Sequence, residues 1–321
     1  MDFSTYLPTP VALLHRDLWI KRDDLTHPLY GGNKVRKLAH LLPRARELAK
    51  TRILTAGAAG SHHVLCTVLH ARLNGFDTAA VMTPQPYTDH AIDNLRAGLG
   101  AGLKVYAADN YPSAVLRTVR ERGHGDLLVP VGGSDVVGSR GYVEAALEFA
   151  TQVQGGECPK PAVIVACLGS GGTVAGLLVG LARAGLHVQL DAVLVAEQEF
   201  AIVTNVQHLV RALAKTSAEA DKAISLMHLV RGELGQGYAH PTDRARAARS
   251  EAAAEGLKLD LTYTAKTYAH ARDLADKKLG PVLYWHTLSS SPMAPLLEVA
   301  PNRDEVLARY PGLWTQVPTG V

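Results

Sequence analysis

The sequence predicts an α/β protein in two domains, each built on mostly parallel sheet with flanking helices. Three observations carry that reading. Short apolar, β-rich runs recur along all 321 residues, separated by longer segments of helical period. The length exceeds the roughly 100–200 residues of a single domain. A breaker-rich run, Gln154-Gly155-Gly156-Glu157-Cys158-Pro159-Lys160-Pro161, separates two periodic blocks.

In chain order, strands are expected at 18–21, 52–56, 78–82, 103–107, 127–131, 162–168, 188–196 and 281–286. Helices are expected at 34–49, 63–74, 88–99, 113–121, 141–154, 174–184, 242–254 and 266–278. The first helix follows the Gly31-Gly32 turn, and the second follows Ser61, a good N-cap residue. The sixth opens on Gly169-Ser170-Gly171-Gly172-Thr173, directly after an apolar strand. The Ala-rich stretch 245–254 reads as ordinary helix, because Ala is the best helix former. There is no internal repeat and no long low-complexity tract.

Composition removes several classes. Hydrophobic residues are 47% and charged residues 20%, which is globular and not disordered, collagenous or coiled-coil. The charge balance, 33 − 30 = +3, is too weak to imply a nucleic-acid partner. Cys66, Cys158 and Cys167 form no CxxC pair, which argues against a disulfide framework and fits a reducing compartment. The first residues show no basic segment followed by an apolar run. The apolar runs fall far short of the roughly 20 residues of a membrane span. A cytoplasmic protein with no membrane partner is expected.

Three segments have chemical potential. In Gly31-Gly32-Asn33-Lys34 the glycines permit a tight turn and the lysine starts a helix. The positive end of the helix dipole disfavours its ammonium form, which suits a lysine acting as an amine, as in a Schiff base. The alternative is a turn leading into a solvated basic helix, with Arg36, Lys37, Arg44 and Arg46 on it. Gly169, Ser170, Gly171, Gly172 and Thr173 would let a phosphate approach backbone N–H groups at a helix start. The run lacks the Walker lysine and the dinucleotide spacing, so a smaller phosphorylated cofactor fits better, the alternative being a plain strand–helix turn. Gly60-Ser61-His62-His63 lies at another strand–helix junction, where Ser61 and the helix N–H groups can receive a carboxylate, or Ser61 can simply cap. No Cys or acidic partner sits beside the histidines, so no metal site is expected.

Taken together and in order, these segments resemble one family. Ile20-Lys21-Arg22-Asp23-Asp24-Leu25 and Gly31-Gly32-Asn33-Lys34-Val35-Arg36-Lys37-Leu38 are similar to the pyridoxal-phosphate enzymes called D-cysteine desulfhydrases and 1-aminocyclopropane-1-carboxylate deaminases. The likeness continues through Ser61-His62-His63, Pro130-Val131-Gly132-Gly133-Ser134, the glycine loop, the Tyr238 and Tyr263 segments and His286-Thr287. It implies the tryptophan-synthase-β-like fold, fold type II. A small domain, 38–150, would be inserted into a large one made of 1–37 and 151–321, with the cofactor in the cleft between them. A homodimer is implied. Lys34 would hold pyridoxal 5'-phosphate covalently, and Gly169 to Thr173 would bind its phosphate. Tyr263 would lie against the ring and Thr287 would approach the ring nitrogen. Ser61, His62 and His63 would bind the amino-acid substrate, with His62 also at the cofactor and Ser61 assisting proton transfer. Tyr238 would face the substrate. Lys34, Ser61, Tyr238 and Tyr263 are the expected catalytic set.

The implied activity is α,β-elimination of a small amino acid, D-cysteine first, to pyruvate, hydrogen sulfide and ammonia. Thr264 leans toward the desulfhydrases, since the deaminases of this family carry Glu there. Three positions depart from the family pattern: His62 replaces Asn, Ala239 replaces Gly, and Leu288-Ser289 replace two glycines. They leave open a deaminase, a racemase, a biosynthetic enzyme with another substrate, or a non-catalytic binding protein.

Overall fold

The computed structural model describes residues 3–278 and 280–315. The chain divides into two compact units. Among the described residues, one contains 3–37 together with Ser134–Ser290, and the other contains Leu38–Gly133 and 291–315.

The first unit is built on a six-stranded sheet. Its order is β1 (Val11–His15), β2 (Leu18–Arg22), β11 (Val282–His286), β8 (Val163–Leu168), β9 (Gln189–Leu194) and β10 (Met227–Val230). Only β1 with β2 is antiparallel; the other four pairings are parallel. Strand residues alternate between two cores, as a period of two requires. Ile164, Ala166 and Leu168 face α5 (Val136–Gln154), α6 (Gly172–Arg183), α7 (Glu199–Leu213) and α8 (Ser217–Ser225). Val165, Val193 and Tyr284 face α9 (Asp243–Ala254) and α10 (Thr264–Asp276). With helices on both faces, the strands can be apolar on both sides, which explains the unbroken runs in the sequence.

The second unit has a parallel sheet of order β6 (Lys104–Ala107), β4 (Asp77–Thr83), β3 (Arg52–Ala58) and β7 (Asp126–Leu128). Its helices are α2 (His62–Leu73), α3 (Asp89–Gly100), α4 (Tyr111–Glu121), α11 (Ala294–Glu298) and α12 (Arg303–Arg309). A short parallel pair joins β5 (Gln85–Pro86) to β12 (Trp314–Thr315). Helix α1 (Asn33–Glu47) begins in the first unit and continues into the second.

All eight expected strands and all eight expected helices have counterparts. Helices α7, α8, α11 and α12 were not expected. The sequence of α7, Glu-Phe-Ala-Ile-Val-Thr-Asn-Val, is rich in β-branched residues of modest helix propensity, and tertiary packing overrides it. The observed units also differ from the expected 38–150 insertion. Tyr142, Ala145, Ala146 and Phe149 of α5 share a core with Val174 and Leu178 of α6, so α5 belongs with the large sheet. Val306, Leu313 and Trp314 share a core with Ala80, Met82 and Ile92, so the C-terminal segment belongs with the small sheet. The Gly-Pro run at 154–161 is therefore a loop within one unit. Among the described residues, no helix is long and apolar enough to cross a membrane.

Candidate active site

In the first unit the site residues follow the carboxyl ends of parallel strands, the edge at which open α/β sheets place their ligands. Lys34 is the second residue of α1. The turn before it is tightly confined. A Cβ on Gly31 would lie 2.1 Å from the Asp24 carbonyl oxygen, and one on Gly32, at φ +95, would lie 2.6 Å from the Thr287 carbonyl oxygen. The turn is fastened from both sides. Gly32 N donates to Asp23 O at 2.9 Å, Asn33 N to Thr287 O at 3.1 Å, and Gly31 N to Ser289 Oγ at 2.9 Å.

Beneath this turn lies a buried charge cluster. The Asp23 carboxylate accepts from Arg36, Thr9, Tyr142 and Trp285 at 2.7–3.0 Å, and Glu148 accepts from Arg36 and Lys21. Burial alone would raise the Asp23 carboxyl, but the charges of Arg36 and Lys21 and the hydrogen bonds from Arg36 and Trp285 hold it below the ordinary range. Removing one member would cost about 3–5 kcal/mol, because the rest would remain as uncompensated buried charge. Arg36 and Lys37 are thus interior residues, only 3% and 2% exposed; the solvated-helix alternative describes Arg44 and Arg46 but not them.

The glycine loop is joined to the lysine turn. Lys34 Nζ donates to Asn33 Oδ1 at 2.8 Å, and Asn33 Nδ2 donates to Thr173 Oγ1 at 3.2 Å. Gly171 takes φ +95 at the N-cap of α6 and, as a glycine, has no side chain with which to cap it. Free N–H groups in the first turn of a helix are ready donors to an anion. Ser134 organises the loop: its Oγ lies 2.7 Å from Ser170 Oγ, and receives Gly172 N at 3.1 Å and Lys37 Nζ at 3.0 Å. Burial pushes the Lys37 amine well below its ordinary range, with the Lys34 charge adding to the effect. Asn33, Lys37 and Ser134 were not singled out from sequence. Their signal was adjacency to the lysine and membership of the Pro130–Ser134 motif.

Tyr263 lies beside the loop, its Cε1 3.7 Å from where a Gly169 Cβ would stand. Its hydroxyl and that of Tyr238 are 2.5 Å apart. Burial raises both phenols, with the Asp260 carboxylate contributing in the same direction, so both stay neutral. Asp260 accepts the backbone N–H groups of Thr262 and Tyr263 and the hydroxyl of Thr264, capping the start of α10. A Glu at 264 would set a second carboxylate against Asp260, so this local structure calls for the neutral hydroxyl. Thr287 is buried, and its carbonyl oxygen accepts Asn33 N. Next to it, the buried His286 bonds through Nδ1 to Tyr284 Oη at 3.1 Å and leaves Nε2 unpaired. Two departures from the family pattern have structural roles here. Ser289 holds Gly31, and Leu288 is an interior side chain. Ala239 adopts φ +62, a conformation glycine takes without strain and alanine does not.

Ser61, His62 and His63 belong to the second unit, at the carboxyl end of β3. Ser61 is the N-cap of α2, accepting Val64 N at 3.3 Å. His62 turns toward α3: its Nε2 is 2.8 Å from His90 Nε2, and its Nδ1 is 3.4 Å from Asn94 Nδ2. His63 is 5% exposed, with Nε2 2.8 Å from Thr55 Oγ1 and Nδ1 3.5 Å from Thr67 Oγ1. Both of its ring nitrogens are engaged within the interior. Among the described residues no group of His, Cys, Asp or Glu could hold a metal ion.

The residues present fit pyridoxal phosphate. An amine sits at a helix start, a glycine loop with two hydroxyls is joined to it through Asn33, an aromatic ring lies beside the loop, and the buried Nε2 of His286, next to Thr287, is left unpartnered.

Comparison with known proteins bears on the same point. The family model described as pyridoxal-phosphate dependent enzyme matches residues 4–284. The D-cysteine desulfhydrases of Salmonella paratyphi C and Salmonella newport are each 35% identical over 88% of this chain and 89% of theirs. A crystal structure of an ACC deaminase homologue superposes with a TM-score of 0.74 at 28% identity, over 91% of this chain and 93% of that one. A fungal L-serine ammonia-lyase from Rhizomucor miehei, at 18% identity, a TM-score of 0.63, and coverage of 91% of this chain and 97% of that one, shares the fold. The fold is that of the fold type II, tryptophan-synthase-β-like enzymes. The chain belongs to the pyridoxal-phosphate-dependent enzyme family, and within it to the lyases and deaminases.

Proposed function

We propose that the protein catalyses α,β-elimination of D-cysteine, converting D-cysteine and water to pyruvate, ammonia and hydrogen sulfide. The observation that carries this reading is the joined set of Lys34, Asn33, Thr173 and Ser134 beside the Tyr238–Tyr263 pair. The substrate rests on the 35% identity to D-cysteine desulfhydrases and on the Thr264–Asp260 contact, which favours a neutral side chain at 264.

Pyridoxal phosphate, when bound, supplies an electron sink that makes the α-proton of an amino acid removable. Lys34 would hold the cofactor through Nζ, and the same amine would take the α-proton. The N–H groups from Gly169 to Thr173, with the hydroxyls of Ser170 and Thr173, bind the phosphate. Tyr263 supports the ring, and the Thr287 hydroxyl serves the ring nitrogen. A hydroxyl need not keep that nitrogen protonated, which makes a milder electron sink and suits elimination. Ser61 would receive the substrate carboxylate together with the first N–H groups of α2, and His62, held by His90 and Asn94, would shape the substrate side. Tyr238, neutral and hydrogen-bonded to Tyr263, faces the substrate and holds a proton. We also propose that the enzyme works as a cytoplasmic homodimer; its three free cysteines suit a reducing compartment.

The test is an absorbance spectrum of purified protein before and after D-cysteine, with Lys34→Ala alongside. The reading expects a visible cofactor band, lost in Lys34→Ala, and release of pyruvate and sulfide that falls by about four orders of magnitude in that variant. A band unmoved by D-cysteine, without sulfide, removes D-cysteine as substrate. The ACC deaminase likeness makes the cyclopropane amino acid the next compound to assay.

A further inference from the structure

Helix α4 has its polarity reversed. At 3.6 residues per turn, Ala114, Arg117 and Glu121 share one side of Tyr111–Glu121, and Tyr111, Val115, Leu116 and Val119 share the other. The protein side is the charged one. Ala114 is the one buried residue of the helix, Arg117 pairs with Glu121 at 3.0 Å, and its guanidinium lies 5.6 Å over the Tyr106 ring. The solvent side is the apolar one: Tyr111, Val115, Leu116 and Val119 are 70%, 48%, 73% and 72% exposed. These are four of the twelve exposed large hydrophobics among the described residues, concentrated on one helix of 11 residues. Scattered apolar residues are normal on a surface, but a continuous stripe marks an interaction site.

We propose that α4 is the centre of a two-fold interface in which the helix packs antiparallel against the same helix of a second copy of this chain. The inference rests on the homodimer reading and names its surface. Charge and shape in the sequence favour a second copy as occupant. In an antiparallel pair with Val115 opposite Leu116, position n faces position 231 − n, counted from that register. Pro112 then meets Val119, and the Tyr111 ring meets the Arg120 guanidinium, a cation–π contact. Asp109, just before the helix, meets Arg122, just after it, as an ion pair. Asp109, Arg120 and Arg122 are all exposed. Each contact occurs twice, as a self-complementary two-fold interface requires. The helix dipoles oppose, which adds a favourable interaction.

The experiment is sedimentation of the full chain, loaded with pyridoxal phosphate, across micromolar concentrations. The expected result is a dimer whose dissociation constant rises about a hundredfold in Leu116→Arg, since an arginine cannot be buried unpaired in an apolar seam. Asp109→Arg and Arg122→Asp each weaken it about tenfold, and together they restore it. Retained circular dichroism certifies the fold of Leu116→Arg, and the surface charge exchange decides the matter if that variant fails to fold. A dimer unmoved by Leu116→Arg and by the charge exchange overturns this surface and leaves the homodimer reading standing. A wild-type chain that is monomeric throughout overturns both.

Discussion

The two units hold their site residues in different ways. In the large-sheet unit the residues are bonded to one another: Lys34 to Asn33, Asn33 to Thr173, Ser134 to Ser170 and Gly172, Tyr238 to Tyr263. In the small-sheet unit each residue is bonded into its own scaffold. Ser61 caps α2, His62 leans on His90 of α3, and His63 is fixed by Thr55 and Thr67. Coupled contacts fail together and separate contacts fail one at a time. The large-sheet unit is therefore the intolerant one, and the small-sheet unit is where this chain can carry a residue such as His62 with local consequences.

The largest test of this contrast is acid. Burial lowers His286 from 6.5 to about 4. Between those values the unfolded chain takes up a proton that the folded chain refuses. The stability from neutral His286 is thus complete above pH 6.5 and is lost as pH falls toward 4, a total of roughly 3 kcal/mol. Urea unfolding at stepped pH should show that dependence shrinking in His286→Asn, with the lost protection in hydrogen exchange on β11 and not on β3. An unchanged pH slope in His286→Asn would break the assignment.

Ser134→Ala comes next. It strips the acceptor from buried Lys37 and from Gly172 N, at about 1–3 kcal/mol. Titration with pyridoxal phosphate should show affinity falling about 10- to 100-fold. Wild-type affinity would mean that the loop is not coupled to Ser134. His62→Asn should do the reverse. Cofactor affinity stays within about twofold, while kcat/KM for D-cysteine relative to other amino acids shifts several-fold. Loss of cofactor from this variant would place His62 in the coupled half. Ala239→Gly, which relieves the residue at φ +62, should stabilise by about 0.5–1 kcal/mol, read as a small rise in Tm. A fall in Tm would show that the alanine methyl packs usefully.

Much of this was legible in the sequence because the signals are local. A strand followed by a glycine loop and a helix, and a lysine after two glycines, declare themselves within ten residues, and the backbone confinement at Gly31 and Gly32 bears out the reading of a tight turn. The solvated reading of Arg36 and Lys37 failed for the opposite reason. Their partners Asp23, Glu148 and Ser134 come from 13 to 112 residues away, and no window on the sequence holds both ends.

The sequence by itself therefore determined the α/β class, the order of the main strands and helices, and the cofactor family. Each depends on period, turn chemistry or motif, which are properties of neighbours along the chain. Only the tertiary structure decided that Ser134 organises the glycine loop, and that the C-terminal segment belongs with the small sheet. It also decided that α4 turns its apolar side outward. A hydrophobic stripe reads the same whether it faces a core or water, and its direction is set by the surfaces that fold against it.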